Sequence, residues 1–300
     1  MRPFEPVCVV GSGYLGTQIG VTCARHGYTV NMYDISKEAL ASSREAMDEY
    51  IHEWVCVDEV QEEEGNDIKS RIRFHEDLAE AASQAGMVIE AVVERLDVKR
   101  EVFKRLDELC RDDAVIATNS SSIRVSKIED ATSSPHRVLN MHFYGHPWRR
   151  RIVELMRGAS TSDEVIEETR EFCRSIGLYP LMVLRESTGF IFNRVWRAVK
   201  KECLSVVDQG VASFEDVDRA WMSLYDTAMG PFGMMDRVGL DVVRDIEMVY
   251  YEESGDPSDA PPGILIRKIE REELGVKTGK GFYSYPDPSY MEPGWLYGEG

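Results

Sequence analysis

The chain is short of several things, and each shortage closes a class of explanation. Its 300 residues include six cysteines (8, 23, 56, 110, 173 and 203), scattered, with no C-x-x-C pair and no cysteine–histidine cluster. That pattern supports neither a disulfide framework nor a metal site. Cys8, Cys23, Cys173 and Cys203 fall in apolar-periodic stretches and read as small core residues. Basic residues are outnumbered, 35 Lys and Arg against 53 Asp and Glu, for a formal net charge of −18. Nucleic acid and anionic membrane both demand a basic footprint, so neither is expected as a partner. No apolar run approaches the roughly 20 residues of a membrane helix. The first apolar run begins at Val7, too early to leave room for a signal peptide, so the cytoplasm is the expected compartment. Internal repeats and low-complexity segments are lacking too.

What the chain does have begins at its start. The run Val7-Cys8-Val9-Val10 leads into Gly11-Ser12-Gly13-Tyr14-Leu15-Gly16, and a second apolar run ends at Asp34. A buried strand feeding three glycines at this spacing, followed by a helix, is a grip for a dinucleotide pyrophosphate. Gly11 permits the tight turn, Gly13 lets the backbone approach the phosphates, and Gly16 lets helix pack on strand. The first-turn N–H groups of Tyr14, Leu15 and Gly16 and the helix dipole then face negative charge. Asp34 is set to accept the adenosine ribose hydroxyls and would repel a 2′-phosphate, so NAD is favoured over NADP.

A chain of this length implies about two domains. Helix is expected over about 14–26, and a long helical region from Lys37, capped by Ser36, to about residue 64. That region should end in the solvated acidic run Glu62-Glu63-Glu64-Gly65-Asn66. Strands are expected at 71–74, 87–91, 114–118, 137–143 and 152–156, with a helix at 97–111. This alternation predicts an α/β, Rossmann-type, mostly parallel sheet over 1–186. From 187 to 300 the pattern turns helical, at about 189–210, 214–225, 239–252 and 262–273, closing in a short extended tail from Gly281. An all-helical C-terminal domain is expected.

Ligands of such sheets lie beyond the carboxyl ends of the strands. Four polar features fall in that neighbourhood: Ser121 within Thr118-Asn119-Ser120-Ser121-Ser122, His142 at the end of Val138–His142, Glu154 between apolar neighbours, and Asn193. Each has an ordinary explanation as a cap or strand-end residue. Jointly they suit hydride transfer at a secondary alcohol, where the hydroxyl proton must leave to a base of near-neutral pKa. His142 is the candidate base, Glu154 the acid on its other ring nitrogen, and Ser121 and Asn193 the donors to the oxygen whose charge changes.

These residues and several further motifs resemble the L-3-hydroxyacyl-CoA dehydrogenase family along nearly the whole chain. The motifs include Glu90-Ala-Val-Val-Glu94 with Lys99, Gly189-Phe-Ile-Phe-Asn-Arg194, Met229-Gly-Pro-Phe232 and Lys277-Thr-Gly-Lys-Gly-Phe-Tyr283. The resemblance implies that Ser121, His142, Glu154 and Asn193 are the catalytic set, that Glu94, Lys99, Ser121 and Lys277 serve NAD, and that the chain forms a homodimer through its helical domain. Its implied partner is a small-molecule 3-hydroxy or 3-keto acyl substrate. Two departures bear on that substrate. After His142 the family's H-F-F-N-P becomes Phe143-Tyr-Gly-His-Pro-Trp148 followed by Arg149-Arg150-Arg151, which is closer to a diketoreductase-like branch acting without CoA. The arm near 37–70 is also acidic where CoA phosphates would want cations, with Lys69, Arg71 and the arginine triplet the nearest compensation. A non-catalytic, crystallin-like NAD-binding protein is the alternative from another class.

Overall fold

The structure, a computed structural model, describes residues 4–298. The chain divides into two compact units, the first ending at Ile191 and the second beginning at Phe192.

The first unit is built on eight strands: β1 (Val7–Val10), β2 (Val30–Tyr33), β3 (Ile72–His75), β4 (Met87–Glu90), β5 (Val115–Thr118), β6 (Val138–Phe143), β7 (Ile152–Arg157) and β8 (Tyr179–Val183). Their spatial order is β3-β2-β1-β4-β5-β6-β7-β8. All neighbours pair in parallel except β6 and β7. The inner strands read as unbroken apolar runs because both faces are covered, and alternate residues serve opposite sides. Val7 and Val9 join the cluster containing Ile19, Trp54 and Phe172. Cys8 and Val10 join the one containing Phe103 and Leu106. The order reverses at β1, whose two neighbours are β2 and β4, and that switch opens a crevice at the carboxyl ends.

Helices α1 (Tyr14–Arg25), α2 (Lys37–Cys56), α3 (Glu62–Ser70), α4 (Leu78–Ala82), α5 (Leu96–Leu109), α6 (Pro147–Arg150) and α7 (Asp163–Ser175) complete the unit. Ser36 caps α2, its hydroxyl accepting from Ala39 N at 3.1 Å. The single helical region expected over 37–64 is in fact two helices. The chain turns at Asp58, which takes a positive φ, and the acidic run Glu62–Glu64 opens α3 instead of closing α2. Carboxylates in a first turn complement the helix dipole. Gly65 is no terminator either: a Cβ there would stand 2.9 Å from Ile51 Cγ2, so it lets α3 lie against α2. The expected pattern also omitted α7 and β8. The latter carries Pro180, tolerable because β8 is the edge of the sheet.

The second unit contains α8 (Phe192–Asp208), α9 (Phe214–Tyr225), α10 (Pro231–Val238), α11 (Leu240–Ser254) and α12 (Gly263–Glu270). No helix is expected between 225 and 239, yet Gly230-Pro231 starts α10, with proline in the first turn, where its missing N–H costs nothing. The stretch after Gly281 forms no α-helix, but it is not simply extended: it makes 3-10 turns at Ser289–Met291 and Trp295–Tyr297, and it is core, since Phe282 and Tyr283 are buried in the unit's main cluster. Two buried acids hold it. Asp236 accepts from Phe282 N and Tyr283 N, both at 2.9 Å. Asp218 accepts from Phe232 N at 2.9 Å and from the Tyr283 hydroxyl at 3.0 Å. Burial pushes the Asp218 carboxyl up to about 6, against the pull of its backbone donors. Burial likewise pushes the thiols of Cys8, Cys23, Cys110 and Cys173 up, Cys110 to about 11, so these are inert packing groups. No helix among the described residues is long and apolar enough to cross a membrane.

Candidate active site

The glycine turn joins β1 to α1, and each glycine has its own reason. Gly11 has φ +103°, and a Cβ on it would meet Ala91 O at 2.6 Å. A Cβ on Gly16 would stand 1.9 Å from Gly11 O. Around Gly13 nothing lies within 4 Å, so the backbone is open to a close-approaching group. Gly13 is also the N-cap of α1 and brings no side-chain bond, so no capping side chain occupies the first-turn N–H groups of Tyr14, Leu15 and Gly16. Asp34 follows β2 and is fixed by the same turn: Oδ2 accepts from Ser12 N at 2.8 Å, and Oδ1 from Ser36 N at 2.9 Å. Beside Asp34 lies a cleft of about 330 Å³ whose walls include Gly11, Gly13, Val92, Val98 and Val102. An apolar slot ending at a fixed carboxylate suits an adenosine: the base between valines, the ribose diol on the acid. The residues present therefore fit NAD.

The antiparallel pair β6–β7 makes the second half of the site. Its register sets His142 directly across from Glu154, so both side chains leave the same face of the sheet. Nδ1 of His142 lies 3.0 Å from Oε2 of Glu154. Both are buried, Glu154 fully and His142 to 5% exposure. The other carboxylate oxygen, Oε1, accepts from Ile191 N at 2.9 Å. An ionised carboxylate only accepts, so with Glu154 ionised this contact favours the tautomer of a neutral His142 that carries its proton on Nδ1 and leaves the Nε2 lone pair free. Tyr144 was not among the expected residues. Its hydroxyl donates to Glu154 Oε2 at 2.7 Å, and its ring lies 4.6 Å from the imidazole. Position i+2 from His142, on the same face, was the signal that would have found it.

Ser121 is exposed on the loop after β5, between two serines that are engaged. The hydroxyls of Ser120 and Ser122 both donate to Glu94 Oε1. Lys99 is 1% exposed, with its ammonium 2.7 Å from Glu90 Oε1 and 3.2 Å from Glu94 Oε2. Burial works against the charge on Glu94, but Lys99 and the two hydroxyls outweigh it and hold the carboxyl below its ordinary range. Asn119 ties this loop to the histidine strand, its Oδ1 accepting from Phe143 N at 2.8 Å. In the second unit, Asn193 lies in the first turn of α8, and Lys277 is half-exposed and paired with Asp241 at 2.6 Å.

Three of the five cations noted near the arm have anionic partners. Lys69 pairs with Asp48 at 2.7 Å, Arg71 stands 3.8 Å from Asp67, and Arg149 pairs with Glu53. His146 and Trp148 pack on the same arm, the tryptophan ring 5.0 Å from Trp54 and 5.1 Å from Tyr50.

A parallel sheet with this turn, this acid and a buried histidine–carboxylate pair defines a dinucleotide-dependent oxidoreductase. Comparison with known proteins narrows the class. Residues 6–187 match the family model described as 3-hydroxyacyl-CoA dehydrogenase, NAD binding domain, and residues 189–285 match its C-terminal domain. The chain belongs to the 3-hydroxyacyl-CoA dehydrogenase family, and NAD is its cofactor. A 3-hydroxybutyryl-CoA dehydrogenase of Mycobacterium tuberculosis is 34% identical over 282 residues, covering 94% of this chain and 98% of the relative. The solved (S)-3-hydroxybutyryl-CoA dehydrogenase of Ralstonia eutropha is 30% identical with a TM-score of 0.90, covering 95% of this chain and 100% of its own. A solved diketoreductase, described as acting on dicarbonyl compounds, is also 30% identical, with a TM-score of 0.83 and the same coverage.

Proposed function

We propose that the protein interconverts an L-3-hydroxyacyl substrate and its 3-keto form, with His142 as the general base of oxidation and general acid of reduction. The observation that carries this is the direct opposition of His142 and Glu154 across β6–β7, with Nδ1 and Oε2 3.0 Å apart. NAD, when bound, takes up or returns the hydride. His142 Nε2 accepts the hydroxyl proton, and the Glu154 carboxylate stabilises the imidazolium that results. Ser121 and Asn193 donate to the substrate oxygen as its charge changes. Gly11, Gly13, Tyr14, Leu15 and Gly16 receive the pyrophosphate, and Asp34 the ribose. Lys99 is enclosed by carboxylates, so its service to the cofactor is to hold Glu94 and the serine loop in shape. Lys277 completes the cofactor set from the second unit. The protein works in the cytoplasm as a homodimer joined through the helical unit.

Whether the acyl group rides on CoA is a second question, and the arm speaks against CoA. Lys69, Arg71 and Arg149 are matched by Asp48, Asp67 and Glu53, so of the five nearby cations three are already committed to carboxylates and only Arg150 and Arg151 are left to answer a phosphate. A free 3-oxo acid or ester is therefore the second reading. Turnover of acetoacetyl-CoA against ethyl acetoacetate, both with NADH, separates the two. A CoA substrate no better than the ester removes the CoA reading. Binding of NADH without turnover of either compound removes the enzymatic reading and leaves a non-catalytic NAD-binding protein.

A further inference from the structure

The Glu154 carboxylate serves two side chains at once. Strand β6 ends at Phe143, but the chain continues so that Tyr144 shares a face with His142. Glu154, opposite His142 in register, is reached by both. The Tyr144 hydroxyl donates to Oε2 at 2.7 Å, and this is the same oxygen that His142 Nδ1 reaches at 3.0 Å. Oε1 is held separately by Ile191 N. The hydroxyl is also what distinguishes Tyr144 from the phenylalanine of H-F-F-N-P.

We propose that Tyr144 is a positioning residue that shares the Glu154 carboxylate with His142, loosening the hold of that carboxylate on the imidazolium and biasing the pair toward proton donation, hence toward reduction of the keto substrate. The proposal rests on His142 being the acid–base group. Charge density committed to one donor is withdrawn from the other, so an oxygen with two donors stabilises each less than it would alone. Burial and the neighbouring carboxylate push the Tyr144 phenol up, with Arg150 opposing, so the phenol stays a donor through the working range. Among the described residues of the first unit, Glu154 from β7 and Tyr144 at the end of β6 are titratable groups that touch the imidazole. Arg150 of α6 acts on the phenol, and Phe190, 4.9 Å from the imidazole ring, supplies an apolar wall.

The test compares wild type with Tyr144→Phe, which removes one hydroxyl and keeps the ring. The acid limb of kcat/KM for oxidation of the better of L-3-hydroxybutyryl-CoA and ethyl L-3-hydroxybutyrate should move up by about half to one pH unit, a roughly three- to tenfold change in the protonation equilibrium. An NMR titration of the His142 imidazole in NAD-saturated protein should move by the same amount and needs no substrate. A displacement under about 0.2 unit, or downward, overturns the proposal. So does a uniform loss of kcat with the limb unmoved, which is what a purely structural hydroxyl would give. His142→Gln is run in parallel. If it keeps full turnover, the acid–base reading fails and takes this proposal with it. If it is inactive while Tyr144→Phe leaves both titrations in place, only the proposal fails.

Discussion

Replacing Glu154 by glutamine tests the paired-carboxylate argument with almost no change of shape. In the native site three donors converge on the carboxylate: His142 Nδ1 and the Tyr144 hydroxyl on Oε2, and Ile191 N on Oε1. An amide has one acceptor oxygen and one donor nitrogen, so it cannot satisfy all three. With its oxygen toward His142, its NH2 opposes the Ile191 N–H. With its oxygen toward Ile191, its NH2 opposes Nδ1 and drives the imidazole to the tautomer protonated on Nε2, which has no lone pair for the substrate proton. Either arrangement also removes the negative charge that steadies the imidazolium. One buried unsatisfied donor costs about 1–3 kcal/mol, a fall of about 2–4 °C per kcal/mol for a unit of this size. Turnover should fall further, by about 10²–10⁴-fold, the range expected when a general base is disabled. The assay is initial-rate oxidation and reduction followed by NADH absorbance, with NADH affinity measured by fluorescence titration. Affinity should stay within about twofold, because the glycine turn and Asp34 follow β1 and β2, while Glu154 lies on β7. Turnover within about fivefold of wild type would refute the role given to the pair.

Other perturbations probe separate parts of the molecule. Asp34→Ala should lower kcat/KM with NAD and narrow the NAD-over-NADP preference by about tenfold, since a fixed carboxylate facing a 2′-phosphate costs on the order of 1–3 kcal/mol; an unchanged ratio in side-by-side assays would remove Asp34 from that role. Gly16→Ala drives a methyl to 1.9 Å from Gly11 O, so the turn must open, and fluorescence titration should record at least about tenfold weaker NADH binding with a lowered Tm. Arg149→Ala removes an exposed pair with Glu53 and should shift stability by less than about 1 kcal/mol; a large rise in KM for acetoacetyl-CoA would instead make the triplet a substrate contact. Glu273 is held down to about 2, first by Lys268 at 2.7 Å and then by Lys280 at 2.8 Å. A depressed carboxyl contributes stability above its unfolded value, lost as pH falls through the folded one. The Tm gap between wild type and Glu273→Gln should therefore shrink from about pH 6 to about pH 3.

The cofactor half of the site was legible in the sequence because its constraints are local. A three-residue turn and the first helical turn after it decide which glycines are needed, and a strand length decides where Asp34 falls. The helical pattern over 37–64 misled for an equally local reason: Val57-Asp58-Glu59-Val60 contains neither glycine nor proline, so the turn at Asp58 carried no signal. Helix α10 was lost behind Gly230-Pro231, which punctuates a chain whether or not a helix follows. Lys99 was tied to the cofactor by resemblance, but its burial between Glu90 and Glu94 depends on how the chain turns from the end of β4 into α5, which the spacing alone does not reveal.

The histidine–carboxylate half of the candidate site is non-local, and the reason lies in the one antiparallel pairing of the sheet. Two parallel neighbours would be staggered by a crossover whose length the sequence does not fix. An antiparallel pair joined by a short connection has a register set by that connection, and residues summing to a constant face one another. His142 and Glu154 satisfy that condition with Phe143 and Val153, so the pairing of imidazole and carboxylate is built into the backbone before any side chain is placed. Tyr144 then follows from alternation alone. What remained hidden was which oxygen each donor takes, and therefore that the carboxylate is shared. That sharing converts a residue read as part of a divergent loop into one that sets how tightly the imidazole holds its proton.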